Sequence, residues 1–355
     1  MHYYFVLTSS VLNDGIKMRR QDIVKLLKND RLKNLIITGD QISSYKIKRI
    51  ITTSTFSVFR YILLIAIGYI VIYPLLYMIV TAIRTPESYY DPGVVWIPDM
   101  TMQNFKDAFR ALDYFNMFKN TFFVQVLSAL IEIASCSLVA YGLSRFEFKL
   151  KKYLMILLIC TILVPSQMII IPMMINYSHL DFFGILKIIG NIFETELRPQ
   201  VLNTPFTFWL PSIFGVGLRS GIMIFIYIQF FKGLPKELEE AAWIDGAGPL
   251  KTFLRIAVPS SGVVFLTVSI FSIVWHWNDY YLCAMFMNNN NLLSLKMAGL
   301  RGALPSLGLG YEVVNGQGGS IIMAACLLTI LPPLIMYMIL QRKFVKSIDR
   351  VGITG

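Results

Sequence analysis

Four stretches of this chain contain no Asp, Glu, Lys or Arg: residues 61–83, 153–180, 256–278 and 313–341. A helix needs about 20 apolar residues to cross the hydrocarbon core of a bilayer, and each stretch is long enough. Two more apolar stretches hold one charge each: 120–144 contains Glu132, and 212–231 contains Arg219. The pattern predicts an all-α polytopic membrane protein with six transmembrane helices. The chain from Pro199 to Leu218 is also apolar, but Pro199, Pro205 and Pro211 interrupt it. Proline breaks helices, so this piece is expected to be a short external or re-entrant segment and not a seventh straight span.

Composition agrees and adds an orientation. Of 355 residues, 55% are hydrophobic and 15% charged, against about 25% charged in soluble domains. Cytoplasmic loops of membrane proteins carry the excess of Lys and Arg. With both termini inside, segments 1–60, 145–152, 232–259 and 341–355 hold 23 of the 32 Lys and Arg. The outer segments 84–119, 179–219 and 279–318 hold 9. The net charge of +11 is then mainly a topology signal, and no nucleic-acid partner is expected. Residues 17–49 are basic and partly amphipathic, with Ile23, Val24, Leu27, Leu32 and Leu35, which suits a surface helix near anionic membrane lipid.

Enzyme chemistry finds no footing. Cys136, Cys160, Cys283 and Cys326 are isolated, and His2, His179 and His276 are scattered, so no metal set or catalytic histidine cluster is expected. No GxxxxGK[ST] phosphate loop occurs. The expectation is a non-enzyme with no cofactor of its own.

The loop 232–259 is different in kind from a simple connection. From Lys236 to Pro259 it reads as two short helices with a break. Pro235 suits a first helical turn, and Glu237, Glu239 and Glu240 complement the positive end of the helix dipole. Asp245-Gly246 ends the first helix, Gly248-Pro249 starts the second, and Pro259 closes it. So much internal structure between two spans implies a docking surface.

Glu240-Ala241-Ala242, three residues, Gly246 and the closing Pro259 resemble the EAA loop of ABC-importer membrane subunits. The extended Ile244-Asp245-Gly246-Ala247 form is similar to the carbohydrate branch, the maltose-permease-like family. Other parts of the chain agree from about residue 59 to the end. They include Ala140-Tyr141-Gly142-Leu143-Ser144-Arg145-Phe146, Pro165-Ser166-Gln167, Trp277-Asn278-Asp279 and the tail from Gln341. The resemblance implies the type I importer permease fold and alternating access. It implies ATP and Mg in a partner, an ATPase dimer contacted through Glu240, Ala241, Ala242, Asp245, Gly246 and Ala247. Further implied partners are a homologous second permease subunit, an extracellular solute-binding protein and a sugar or oligosaccharide. The implied place is the bacterial cytoplasmic membrane. The family tail usually carries a lysine where Thr354 stands.

Three parts are then expected. Residues 1–58 form a basic cytoplasmic extension, whose residues 1–17 are expected to be dispensable. Residues 59–340 form the permease domain, and residues 341–355 a cytoplasmic tail. Family members are usually shorter where this chain has Gly184 to Asn203, read as a surface insertion or an extra contact for the binding protein.

Charges inside spans are costly and usually pair or face a cavity. Glu132 and Arg219 lie at equal distance from their inner boundaries, about 20 Å at 1.5 Å per residue, so an ion pair between them is expected. Both are also candidates for the solute path. Sugars need aromatic faces and polar groups for hydroxyls. Trp275, Trp277, Asn278, Asp279 and Tyr280 offer these, although Trp and Tyr at an interface commonly form an aromatic belt. Two other readings remain: the same family with a non-sugar solute, or a proton-coupled secondary transporter with Glu132 as carrier. Inverted repeats would favour the second, and none is visible.

Overall fold

A computed structural model of the chain describes residues 30–85, 99–181, 184–193, 195, 198–289, 291–308 and 318–352. Residues 1–17, Glu194, Glu196 and Thr354 lie outside these. The chain divides into two units, residues 1–74 and 75–355. A single helix, α1, runs from Asp30 to Ala82. Its part Phe56–Ala82 is apolar and long enough to cross a membrane, as the first charge-free stretch predicts.

The second unit is helical. Among the described residues there is no sheet, only an isolated antiparallel bridge between Arg84 and Met100. Helix α2 spans Gln103–Ala111. Asn104 secures it by donating to the carbonyls of Ala82 (2.9 Å) and Arg84 (2.8 Å). Helix α3, Tyr114–Arg145, is the predicted second span, with a π turn at Phe122–Val126. The predicted third span is a bent pair, α4 (Lys151–Leu163) and α5 (Ser166–Ser178). Pro165 causes the break. It cannot donate to the preceding turn, and Val164 before it is extended.

The stretch around Gly184 to Asn203 leaves and returns at one place. The Leu180 N–H donates to the Pro199 carbonyl (3.0 Å), and the Val201 N–H to the Tyr177 carbonyl (2.8 Å). Between these ties lies a short helix, α6 (Ile185–Ile192). Asp181 accepts from the N–H groups of Leu186 and Lys187 at its start.

Sequence reading placed the fourth span too early. Residues 206–213 form a separate helix, α7 (Phe206–Ile213), and the span itself is α8, Ser220–Gly233. The turn between them needs left-handed backbone at Gly215 (φ 67°) and Arg219 (φ 59°). Arg219 therefore sits at the mouth of α8 and not inside it. The segment Pro199–Leu218 holds only the short α7, as its prolines predict.

Helices α9 (Glu237–Ile244) and α10 (Pro249–Ser260) form the loop, and α11 (Gly262–Trp277) is the fifth span. Pro259 does not end α10. That helix passes through a π turn at Phe253–Ala257 and stops at Ser261, where the chain bends by 84° into α11. Short helices α12 (Tyr281–Phe286) and α13 (Leu293–Ala303) follow. Helix α14, Gly318–Gly352, contains the sixth span.

Three apolar cores hold the second unit together. The first joins Ile133 and Tyr141 of α3 to Met223, Tyr227 and Phe231 of α8 and Val264 and Val268 of α11. The second joins α2 and the start of α3 to α13 and α14 through Leu112, Leu300 and Ile321. The third gathers Tyr177, Val201, Phe208 and Phe286.

Candidate functional site

The loop begins at α9, whose first helical residue is Glu237, two after Pro235. Pro235 precedes the first turn instead of lying in it. The three glutamates stand in that turn, where the dipole favours them. Residues 237 and 240 are three apart and share a face, and both are exposed. Glu239 points elsewhere and is buried.

The motif glycine has a local explanation. Asp245 is the last half-helical residue, and Gly246 follows in left-handed backbone (φ 76°). The Gly246 N–H then donates to the Trp243 carbonyl (3.0 Å) and the Ala247 N–H to the Ala242 carbonyl (2.9 Å). This is a Schellman cap, and it fixes the glycine four residues after Ala242. Gly248 and Pro249 then open α10, as the sequence predicts.

This geometry brings the six predicted loop residues into one compact turn. Glu240, Ala241, Asp245 and Gly246 are exposed, and Ala242 and Ala247 are half-buried. Large apolar side chains beside them are also uncovered: Ile244 is 87% exposed, and Leu238, Trp243, Leu250 and Leu254 are exposed too. Gly248, Pro249, Leu250, Lys251, Leu254 and Arg255 line an open depression next to the turn. Contiguous apolar surface rimmed by charge marks an interaction site.

What holds this loop was not part of the sequence reading. Buried Glu239 meets Arg145, the last residue of α3, with Oε1 and Nε 2.9 Å apart. The Nε–H is not aligned on that oxygen, so the contact is between charges. Arg145 also donates through Nη2 to the Leu234 carbonyl (2.9 Å). One turn earlier, the Tyr141 ring packs on Phe253 of α10 at 5.0 Å between centroids. The position of Glu239, off the face shared by Glu237 and Glu240, was the available clue.

The expected Glu132–Arg219 ion pair does not form. Glu132 is fully buried. Its carboxylate accepts a hydrogen bond from Ser220, the residue after Arg219. Ser272 Oγ donates to it at 3.4 Å, and His276 Nε2 lies 3.5 Å away. Ser220 brings the chain beside Arg219 up to Glu132. The left-handed backbone at Arg219 sends its side chain elsewhere, over the Trp275 ring at 4.7 Å from the centroid.

The predicted outer group separates in the same way. Trp275 carries Arg219 on one side and stacks with Phe271 (5.4 Å between centroids). Asn278 and Tyr280 are exposed. Asp279 accepts from the Leu282 N–H (3.2 Å), which caps the start of α12. Burial pushes its carboxyl up to about 6, against the lowering effect of the Leu282 N–H and of the Arg219 charge. Trp277 belongs neither to an exposed belt nor to a solute surface. It is buried edge-on to Phe118 (5.7 Å), and its Nε1–H donates to the Thr329 carbonyl (3.0 Å).

Apolar spans around a buried polar centre, with one structured loop anchored to their end, are the architecture of a helical membrane permease. The chain belongs to the family of binding-protein-dependent transport system inner membrane components, whose model matches residues 133–350. It is 28% identical over 282 residues to the melibiose/raffinose/stachyose import permease protein MelC of Bacillus subtilis (strain 168), covering 79% of this chain and 90% of that protein. It is 24% identical to the arabinooligosaccharides transport system permease protein AraQ of Halalkalibacterium halodurans, covering 81% and 93%. It is 25% identical to the sn-glycerol-3-phosphate transport system permease protein UgpE of Shigella flexneri, covering 82% and 95%. The fold is similar to a chain in the crystal structure of a bacterial ABC transporter that imports the acidic polysaccharide alginate. The TM-score is 0.63 at 18% identity, covering 81% of this chain and 96% of that one.

Proposed function

We propose that this chain is a non-enzymatic membrane subunit of an importer for a sugar or oligosaccharide, driven by ATP hydrolysis in partner subunits. The observation that carries the reading is the loop Glu237–Ser260, with its Schellman cap at Gly246 and exposed Trp243, Ile244, Leu250 and Leu254. This apolar turn fits a groove on a cytoplasmic ATPase, with Glu240 free for a charge-assisted hydrogen bond. The distribution of Lys and Arg supports placing the loop and both termini in the cytoplasm. A second permease subunit and an external binding protein complete the assembly. The names of the relatives support a carbohydrate as solute. Arg219, Trp275, Tyr280, Asn278 and Asp279 are the candidates in this chain for contact with it. Glu132 is proposed as a packing group beside that path and not a proton carrier, because it is fully buried and engaged by three side chains.

The test is ATP hydrolysis by the complex in liposomes, with binding protein and a panel including melibiose, raffinose and arabinooligosaccharides. A panel member should stimulate hydrolysis in the wild type. Gly246→Asp and Glu240→Lys should lose that stimulation while sugar capture by the binding protein survives. Wild-type stimulation in Gly246→Asp would refute the coupling role.

A further inference from the structure

The loop is joined by the chain itself to α8 and α11, the spans before and after it. It is also attached through side chains to a third span. Arg145 at the end of α3 holds Glu239 of α9 at 2.9 Å and the Leu234 carbonyl at 2.9 Å. The side chains of this pair are 4% and 5% exposed. Tyr141 of α3 packs on Phe253 of α10. Two points of α3, one turn apart, thus grip both helices of the loop. A buried charge pair is a stringent contact, because displacing either partner leaves the other charge without compensation. Further along α3, Glu132 is bonded to Ser220 of α8 and Ser272 of α11.

We infer that Arg145 and Glu239 form a rigid joint that makes α9 and the end of α3 move as one body when a cytoplasmic partner displaces the loop. This rests on the coupling role proposed above and adds the route by which force leaves the loop. Arg145 and Glu239 are positioning residues. Displacement of α9 passes directly to α3 and, through Glu132, reaches α8 and α11 at the depth of the buried carboxylate. Without the joint, α3 would keep its hold on α10 through Tyr141 and Phe253 but would lose its hold on α9.

The experiment uses the assembled complex of both permease subunits and the ATPase pair in liposomes, with Mg-ATP and vanadate as the probe. Spin labels go on exposed Glu237 in α9 and exposed Leu138 in α3. In the wild type, the distance between them should stay single and narrow before and after vanadate trapping. In Arg145→Met/Glu239→Leu, which removes both buried charges together, the complex should assemble but the distance should broaden or split on trapping. The swap Arg145→Glu/Glu239→Arg should return it to one narrow population, which a general loss of packing would not predict. A wild-type distance that changes on trapping overturns the joint, and so does a double variant that behaves as wild type or a swap that stays broad. If the ATPase does not co-purify even with the wild-type chain, the docking reading fails, and the joint fails with it.

Discussion

Gly217 lies against Glu132 so closely that a Cβ built on it would fall 2.7 Å from the carboxylate Oε1 and 3.0 Å from Ser212 Oγ. Real Cβ atoms do not approach so near, so any larger residue at this position must displace the carboxylate, which Ser220 and Ser272 hold in place. Gly217→Ala should destabilise the protein by about 1–3 kcal/mol through overpacking, read as a lowered midpoint of thermal unfolding in detergent. The two groups touch, so their effects should not add. Gly217→Ala combined with Glu132→Ala should cost less than the sum of the single changes. Strict additivity would show that the loop relaxes without meeting the carboxylate.

Arg219 should be nearly independent of Glu132. Its partner is the Trp275 ring, and a cation–π contact at an exposed site contributes about 0.5–1 kcal/mol. Arg219→Gln should therefore assemble normally, with a small shift in unfolding midpoint. The swap Glu132→Arg/Arg219→Glu should abolish assembly, because it places a guanidinium against Ser220, Ser272 and His276. Rescue by the swap would restore the ion pair that the sequence suggested.

At Gly246 the left-handed backbone makes substitution graded by residue type. Asn tolerates this region better than other non-glycine residues, while an ordinary side chain there costs about 1–2 kcal/mol. Gly246→Asn should keep much of the sugar-stimulated ATP hydrolysis, and Gly246→Val should lose it. Equal activity of the two would mean that the cap does not set the shape of the turn.

Asp279 gives a pH-dependent signature. Burial raises its folded pKa to about 6, above the ordinary value near 3.9. Between about pH 4 and 6 the unfolded chain has released this proton and the folded chain still holds it, so wild-type stability falls as pH rises through that window. Asp279→Asn keeps a capping side chain and removes the proton. The unfolding midpoint of the variant relative to wild type should climb from pH 4 to 6 and then level off. A constant difference across this range would place the carboxyl in water.

Features set by local chemistry were readable in the sequence. Apolar length located the spans, and Gly246 with Gly248-Pro249 marked the two ends of the loop turn. Each depends on neighbours a few residues away. The start of α8 was misplaced because apolar length does not reveal the left-handed turn at Gly215 and Arg219. Depth along a helix placed Glu132 and Arg219 at one level, but pairing also depends on direction around each axis, which distant packing decides. The same reason hid Arg145 and Glu239. Trp277 looked like an interfacial residue because its position at a span end is legible and its edge contact with Phe118 is not.

The π turn at Phe122–Val126 makes α3 sensitive to chain length as well as to residue identity. A π turn is an α-helical stretch carrying one extra residue. Deleting a residue there would allow an unbroken α-helix with a complete hydrogen-bond ladder. It would also rotate the preceding turns by about 100° relative to the rest of the span. Phe118 would swing away from Trp277, and the Thr121 hydroxyl would leave the Leu293 N–H that it accepts from at 2.8 Å. In this part of the chain, losing one residue should disturb more contacts than replacing one side chain.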